Sequence, residues 1–184
     1  MSLEENLMKK TFATRDIALC AMLAAVYTAL CIALAPISYG PVQIRAAEAL
    51  ALTAVFSPLC IWGVTLGCAL SNIVGLFGAN ILGAFDILFG TAATFAAAVL
   101  SYRFRKIRVF GLPVLSAVPP VVINAVVIGL ELTYVMWGKF VVEAFLINAT
   151  AVGAGQLISC FALGLPLVYV LEKSGAAQKY FLAR

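Results

Sequence analysis

Ser101-Tyr102-Arg103-Phe104-Arg105-Lys106-Ile107-Arg108 decides how this chain must fold. Four basic side chains crowd into this stretch, and long apolar runs flank it on both sides. Short positive loops resist translocation and collect on the cytoplasmic face of a membrane. The stretch therefore marks one face of a bilayer. Working outward, Lys9, Lys10 and Arg15 precede the first apolar run, and Lys173, Lys179 and Arg184 follow the last. Only Arg45 and Lys139 of the 12 basic residues fall outside these groups. The pattern predicts an all-α protein of six transmembrane helices with both termini cytoplasmic. Arg45 and Lys139 then lie on the external side.

Composition agrees. Hydrophobic residues make up 64% of the 184 and charged residues 11%, against about 25% charged in soluble domains. The net charge of +4 sits in the cytoplasmic loops, so it speaks for orientation and not for nucleic acid. The chain has no His, which removes His-based metal sites and Ser-His-Asp triads. Neither an enzyme nor a resident cofactor or metal is expected. The cysteines, Cys20, Cys31, Cys60, Cys68 and Cys160, lack CxxC spacing and read as small buried hydrophobes. A first apolar run preceded by Glu4 and Glu5 is too long for a cleavable signal.

A bilayer core of about 30 Å needs roughly 20 helical residues. Spans are expected at about 17–35, 46–56, 59–77, 81–102, 112–134 and 141–171. They form one membrane domain over 17–171, with 1–16 and 172–184 as cytoplasmic ends. Pro36 is expected to stop the first span. The second is too short to cross unaided, so it must tilt, extend past Pro58 or bury itself. Trp137, Gly138 and Lys139 read as an external loop. The last span is overlong, which predicts tilt or a bend near Gly153, Gly155 or Pro166.

Ionisable groups inside a membrane are costly and mark function by default. Chain direction places Gln43, Arg45, Glu48, Asn72, Asp86, Glu131 and Glu143 at outer depth, with Gln156 deeper. Asn124 and Glu131 share a helix face, and so do Ala79, Gly83, Asp86, Gly90 and Thr94. These describe a polar pocket open to the outside, suited to capturing a solute. Plainer readings stand beside it. Asp86 is then an interhelical partner, Glu48 pairs with Arg45 three residues earlier, Glu143 faces headgroups, and the asparagines join helices. Ala21, Ala25, Ala29 and Ala33 recur every four residues, a spacing that serves packing within the bundle or docking onto another membrane protein. No GxxxxGK[ST] phosphate loop occurs, so accumulation against a gradient requires a partner ATPase or an ion gradient.

Ile37-Ser38-Tyr39-Gly40-Pro41-Val42-Gln43-Ile44-Arg45 followed by Glu48-Ala49-Leu50 resembles the QueT family. So do Gly67-Cys68 with Asn72, Asp86-Ile87 with Phe89-Gly90 and Thr91-Ala92-Ala93-Thr94, Pro119-Pro120, Asn124, Gly129-Leu130-Glu131 and Gly164-Leu165-Pro166. The likeness extends over about 15–173. It implies a substrate-binding S-component of an energy-coupling factor (ECF) transporter in the bacterial plasma membrane. Such a subunit docks, here through Ala21, Ala25 and Ala29, onto a transmembrane coupling subunit carrying two ATPases. The implied ligand is a queuosine precursor, a 7-deazaguanine.

The chemistry of such a ligand fits the candidate residues. Its pyrimidine edge offers adjacent N–H donors, which one carboxylate accepts bidentately. Gln43 or Asn72 serves the carbonyl, and Tyr39, Tyr134 or Trp137 stacks on the ring. Glu48, Asp86 and Glu131 are the competing carboxylates. The rival readings are an S-component for another vitamin-like solute and a small ion-coupled carrier or channel using Asp86 and Glu131.

Overall fold

A computed structural model describes residues 14–38, 44–77 and 80–182. Five stretches are long and apolar enough to cross a membrane: Thr14–Ala33, Pro58–Gly75, Ala84–Phe104, Val114–Trp137 and Val142–Lys173. The helices are α1 (Thr14–Ala33), α2 (Pro58–Gly75), α3 (Ala84–Phe104), α4 (Val118–Trp137), α5 (Val142–Leu157) and α6 (Leu165–Lys173). Ten further residues, Ala46–Val55, form a 3₁₀ helix. The described residues contain no β-strand beyond an isolated bridge between Val109 and Leu112.

The bundle is apolar outside and carries its polar groups inside. Met22, Val26, Leu66, Leu70, Leu88, Val122, Val126 and Ile147 are exposed, while Asn72, Asp86, Thr94 and Asn124 are buried. Hydrocarbon tolerates the first set and penalises the second, so the helices turn a lipid-compatible face outward.

The 3₁₀ helix threads through the middle. Eight of its ten residues are buried. Ala47 and Ala54 pack with Tyr27, Val64 and Ala98, and Leu52 and Val55 pack with Cys160 and Val168. Runs of 3₁₀ longer than three or four residues are uncommon, and here dense packing on every side sustains one. Small residues permit it: a Cβ on Gly164 would stand 2.7 Å from Leu52 Cδ1. Burial is thus the answer to the short second segment.

Contacts sort the helix ends into two sets. Arg15 donates to the Lys179 carbonyl, Cys20 Sγ contacts the Leu59 carbonyl at 3.2 Å, and Phe56 stacks on Phe181 at 5.5 Å. Arg108 forks onto both oxygens of Glu172 at 2.9 and 2.6 Å. This hydrogen-bonded pairing, opposed by slight burial, raises the Arg108 guanidinium above its ordinary value. All of these lie at the end bearing Arg103–Arg108. At the other end, Arg45 meets Asp86. The residues that flank the 3₁₀ helix thus fall into different sets, Arg45 beside Asp86 and Phe56 beside Phe181.

Several expected boundaries shift. The chain past α1 takes one more helical turn, Ala35–Ser38, that includes Pro36, because proline is tolerated in a first turn where its missing N–H is not needed. The Ser57 side chain caps α2, which begins at Pro58. Trp137 is not in a loop but ends α4, and Gly138 stops the helix with φ 67° while its N–H bonds the Tyr134 carbonyl. The long last stretch relaxes into a π-helical segment, Ile158–Gly164, just before Pro166. Proline removes a donor from the i→i−4 ladder, and a π segment is one way to accommodate that loss. A second π segment, Ala177–Leu182, occupies what the sequence presents as a plain tail.

Candidate functional site

The buried polar groups at the Arg45 end divide into two settings. The first is a connected network. Arg45 precedes the 3₁₀ helix in extended conformation, with φ −84° and ψ 91°. Its guanidinium pairs with Asp86 in the first turn of α3, and its Nε donates to the Ser38 carbonyl at 3.4 Å. Asn80 Nδ2 donates to the same Asp86 oxygen at 2.7 Å. Asn72 Nδ2 donates to the Asp86 backbone carbonyl at 2.7 Å. Gly90, one turn on, leaves room for this carboxylate, since a Cβ there would fall 1.8 Å from Asp86 Oδ1. Glu48 accepts from the Tyr27 hydroxyl and from Thr94 Oγ1 at 3.4 Å. The network ties α1, α2, α3 and the 3₁₀ helix together. One oxygen of Glu48, one of Asp86 and the Asn72 carbonyl oxygen have no hydrogen-bond partner among the described residues.

The second setting is a groove between α3 and α4. It encloses about 610 Å³ and is lined by Phe85, Phe89, Val127, Glu131 and Tyr134, among others. Phe85, Phe89 and Tyr134 are exposed, whereas Glu131 is 8% exposed. Neither Glu131 carboxylate oxygen has a hydrogen-bond partner among the described residues. A buried polar group left unmatched costs about 1–3 kcal/mol, and more when charged. Glu131 is thus a buried carboxylate for which the described protein supplies no hydrogen-bond donor.

Arg45, Glu48, Asn72 and Asp86 thus come together in the network, and Glu131 lines the groove. Asn124 is buried with its amide nitrogen unpartnered among the described residues, but it is absent from the groove lining. Gln156 is buried beside Cys160, whose Sγ lies 3.7 Å from its Oε1, and Trp137 is half exposed at the end of α4; neither lines the groove. Glu143 is exposed at the start of α5. Tyr39 and Gln43 lie outside the described residues, as does Ala79 of the small-residue face. Pairing of Arg45 with Glu48 is overtaken by the contact with Asp86, 41 positions away.

On the sequence alone, no site role falls to Tyr27, Asn80, Phe85 or Phe89. A signal for Tyr27 existed: Leu19, Leu23, Tyr27 and Cys31 repeat every fourth residue and form the buried side of α1. A tyrosine on such a face needs a partner for its hydroxyl. Phe85 gave no such signal, since exposed aromatics are ordinary on a lipid-facing helix, and Phe89 stood out only as part of the family-like stretch with Gly90.

On this evidence the class is settled. Long apolar helices around a polar interior make a multi-pass membrane protein, and nothing among the described residues groups three or more metal-ligating side chains. The family model described as the QueT transporter matches residues 17–173, so the chain belongs to the QueT family, which comprises transporters and not enzymes. It is a multi-pass protein of the bacterial plasma membrane. A curated relative, the queuosine precursor transporter QueT of Lactococcus lactis subsp. cremoris (strain MG1363), is 40% identical over 77 residues, covering 41% of this chain. The match spans 45% of that relative's length, less than half of it. No solved structure gave a match.

Proposed function

We propose that this chain is the substrate-binding S-component of an ECF-type importer and that it takes up a queuosine precursor, a 7-deazaguanine, from outside the cell. In this reading residues 17–171 form one membrane domain with both ends cytoplasmic. The 3₁₀ helix is the sixth passage. At about 2.0 Å per residue, ten residues cover about 20 Å, and the extended chain at Arg45 and Ser57 lengthens the path.

The observation that carries the subunit role is the division of α1. Leu19, Leu23, Ala24 and Tyr27 are buried, while Ala18, Ala21, Ala25 and Ala29 are exposed. The alanine spacing is not used for packing inside the bundle. It presents a smooth strip on which another transmembrane helix can approach closely, as docking to a coupling subunit with two ATPases requires. Family membership and the name of the curated relative support the ligand class. An ion-coupled relay through Asp86 and Glu131 is disfavoured because Asp86 is held by Arg45.

Two measurements test this. Mass spectrometry of the protein purified from cells should find a retained 7-deazaguanine. Ala25→Trp should abolish co-purification with the ATPase-bearing module while the isolated chain still binds ligand. A protein that retains no deazaguanine loses the substrate assignment, and a variant that keeps its module loses the docking face.

A further inference from the structure

Three carboxylates lie at the same end of the bundle, and the structure separates them by what they already hold. Asp86 is engaged by Arg45 and Asn80. Glu48 is engaged by Tyr27 and Thr94. Glu131 alone among the described carboxylates is both buried and without a hydrogen bond to either oxygen. Around it are the side chains of Phe85, Phe89 and Tyr134, lining a groove of about 610 Å³, within the usual range of about 300–1,000 Å³ for small-molecule sites.

We infer that Glu131 is the group that reads the ligand, accepting two adjacent N–H donors on the edge of a flat molecule seated between α3 and α4. The inference rests on the binding-subunit reading and deepens it. A carboxylate has acceptor sites on both oxygens and no donor when ionised, so its partner must bring the donors. A parallel pair of N–H groups, as in a 2-amino-pyrimidinone or an amidine, matches both oxygens at once. The aromatic walls supply stacking surface of the kind such a ring needs. A lipid chain would fill the groove but leave both oxygens unmatched, so the committed occupant is the planar donor-edged ligand. Asp86 and Glu48 then act as positioning residues, holding the Arg45 end of the bundle.

Isothermal titration of the full chain in detergent decides the matter, with 7-deazaguanine and 7-deazahypoxanthine as paired probes. The second probe lacks the exocyclic amine and so one of the two donors. The parent should prefer 7-deazaguanine by at least about tenfold, the effect of a lost hydrogen bond to a charged group. Glu131→Gln should erase that preference, because an amide offers one acceptor oxygen instead of two. Glu143→Gln, at an exposed carboxylate near the same end, should retain it. Thermal unfolding of Glu131→Gln without ligand should match or exceed that of the parent, showing that the loss is not misfolding. A preference that survives in Glu131→Gln overturns the inference. Should the parent bind neither probe, the deazaguanine assignment falls, and benzamidine, a planar amidinium, then tests Glu131 by itself. Benzamidine binding that disappears in Glu131→Gln upholds the inference, and failure of the parent to bind it overturns the inference too.

Discussion

Asp86 and Glu131 are both buried carboxylates at the Arg45 end of one bundle, yet they are treated in opposite ways. Asp86 sits against a guanidinium and an asparagine amide, with Gly90 making the space. Glu131 sits in an aromatic groove with neither oxygen hydrogen-bonded within the described protein. The lesson is that burial of a charge does not by itself identify function. What separates a structural carboxylate from a candidate ligand reader is whether the fold has already supplied its donors.

The contrast can be broken most sharply from the Asp86 side. Asp86→Asn takes away the carboxylate that forms the ion pair with the buried Arg45. Removing one member of a buried pair costs about 3–5 kcal/mol, so thermal unfolding in detergent should show the largest loss of any single change here. If Asp86→Asn unfolds like the parent, the network is not what holds the 3₁₀ helix in place.

A smaller loss is expected for Gly67→Ala, because the added Cβ would lie 2.6 Å from Tyr27 Cβ. Overpacking of this kind costs about 1–3 kcal/mol, and it should disturb Tyr27 as the partner of Glu48. Tyr27→Phe tests the same contact without steric change. It strips a donor from Glu48 but leaves Thr94, so a loss of about 1–2 kcal/mol is expected from denaturant titration. A neutral Tyr27→Phe would remove Glu48 from the structural class and return it to the candidates for ligand contact.

At the opposite end, Arg108→Ala should have the smallest effect. The Arg108–Glu172 pair is well formed but partly exposed, and such pairs contribute about 0–1 kcal/mol, less as salt rises. A loss as large as that of Asp86→Asn would mean that this link, and not the buried network, organises the helix ends.

Much of this was legible in the sequence. The apolar runs gave the helices to within a few residues. The recurrence of Ala21, Ala25 and Ala29 singled out one face of α1, but that this face is exposed is visible only in the structure. Chain direction placed Arg45, Glu48, Asp86 and Glu131 at one end. What periodicity lacks is the identity of contacts between segments. The proximity rule pairs Arg45 with Glu48 because they share a turn, but Arg45 stands before the helix, in extended backbone, and its side chain reaches α3 instead. The ten-residue 3₁₀ helix was equally hidden, since Ala46–Val55 is composed of residues that serve an α-helix well. Packing against the neighbouring segments on all sides decides its form, and no local signal carries that. The groove walls escaped notice for a related reason: Phe85 and Phe89 gain meaning only when Tyr134 and Glu131 face them from another helix.

The contrast between Asp86 and Glu131 is tested most directly by the unfolding temperature of Glu131→Gln beside the parent, each with and without saturating 7-deazaguanine. A ligand present at 100 times its Kd stabilises the folded state by about 2.7 kcal/mol. Without ligand, the variant is expected to unfold at or above the parent's temperature, because no hydrogen bond within the described protein is lost. With ligand, the parent should shift upward by the full amount and the variant by clearly less, about 1.4 kcal/mol for a site about tenfold weaker. A variant that unfolds well below the parent in the absence of ligand, or that gains the same stabilisation from 7-deazaguanine, would contradict the assignment of Glu131 to the ligand.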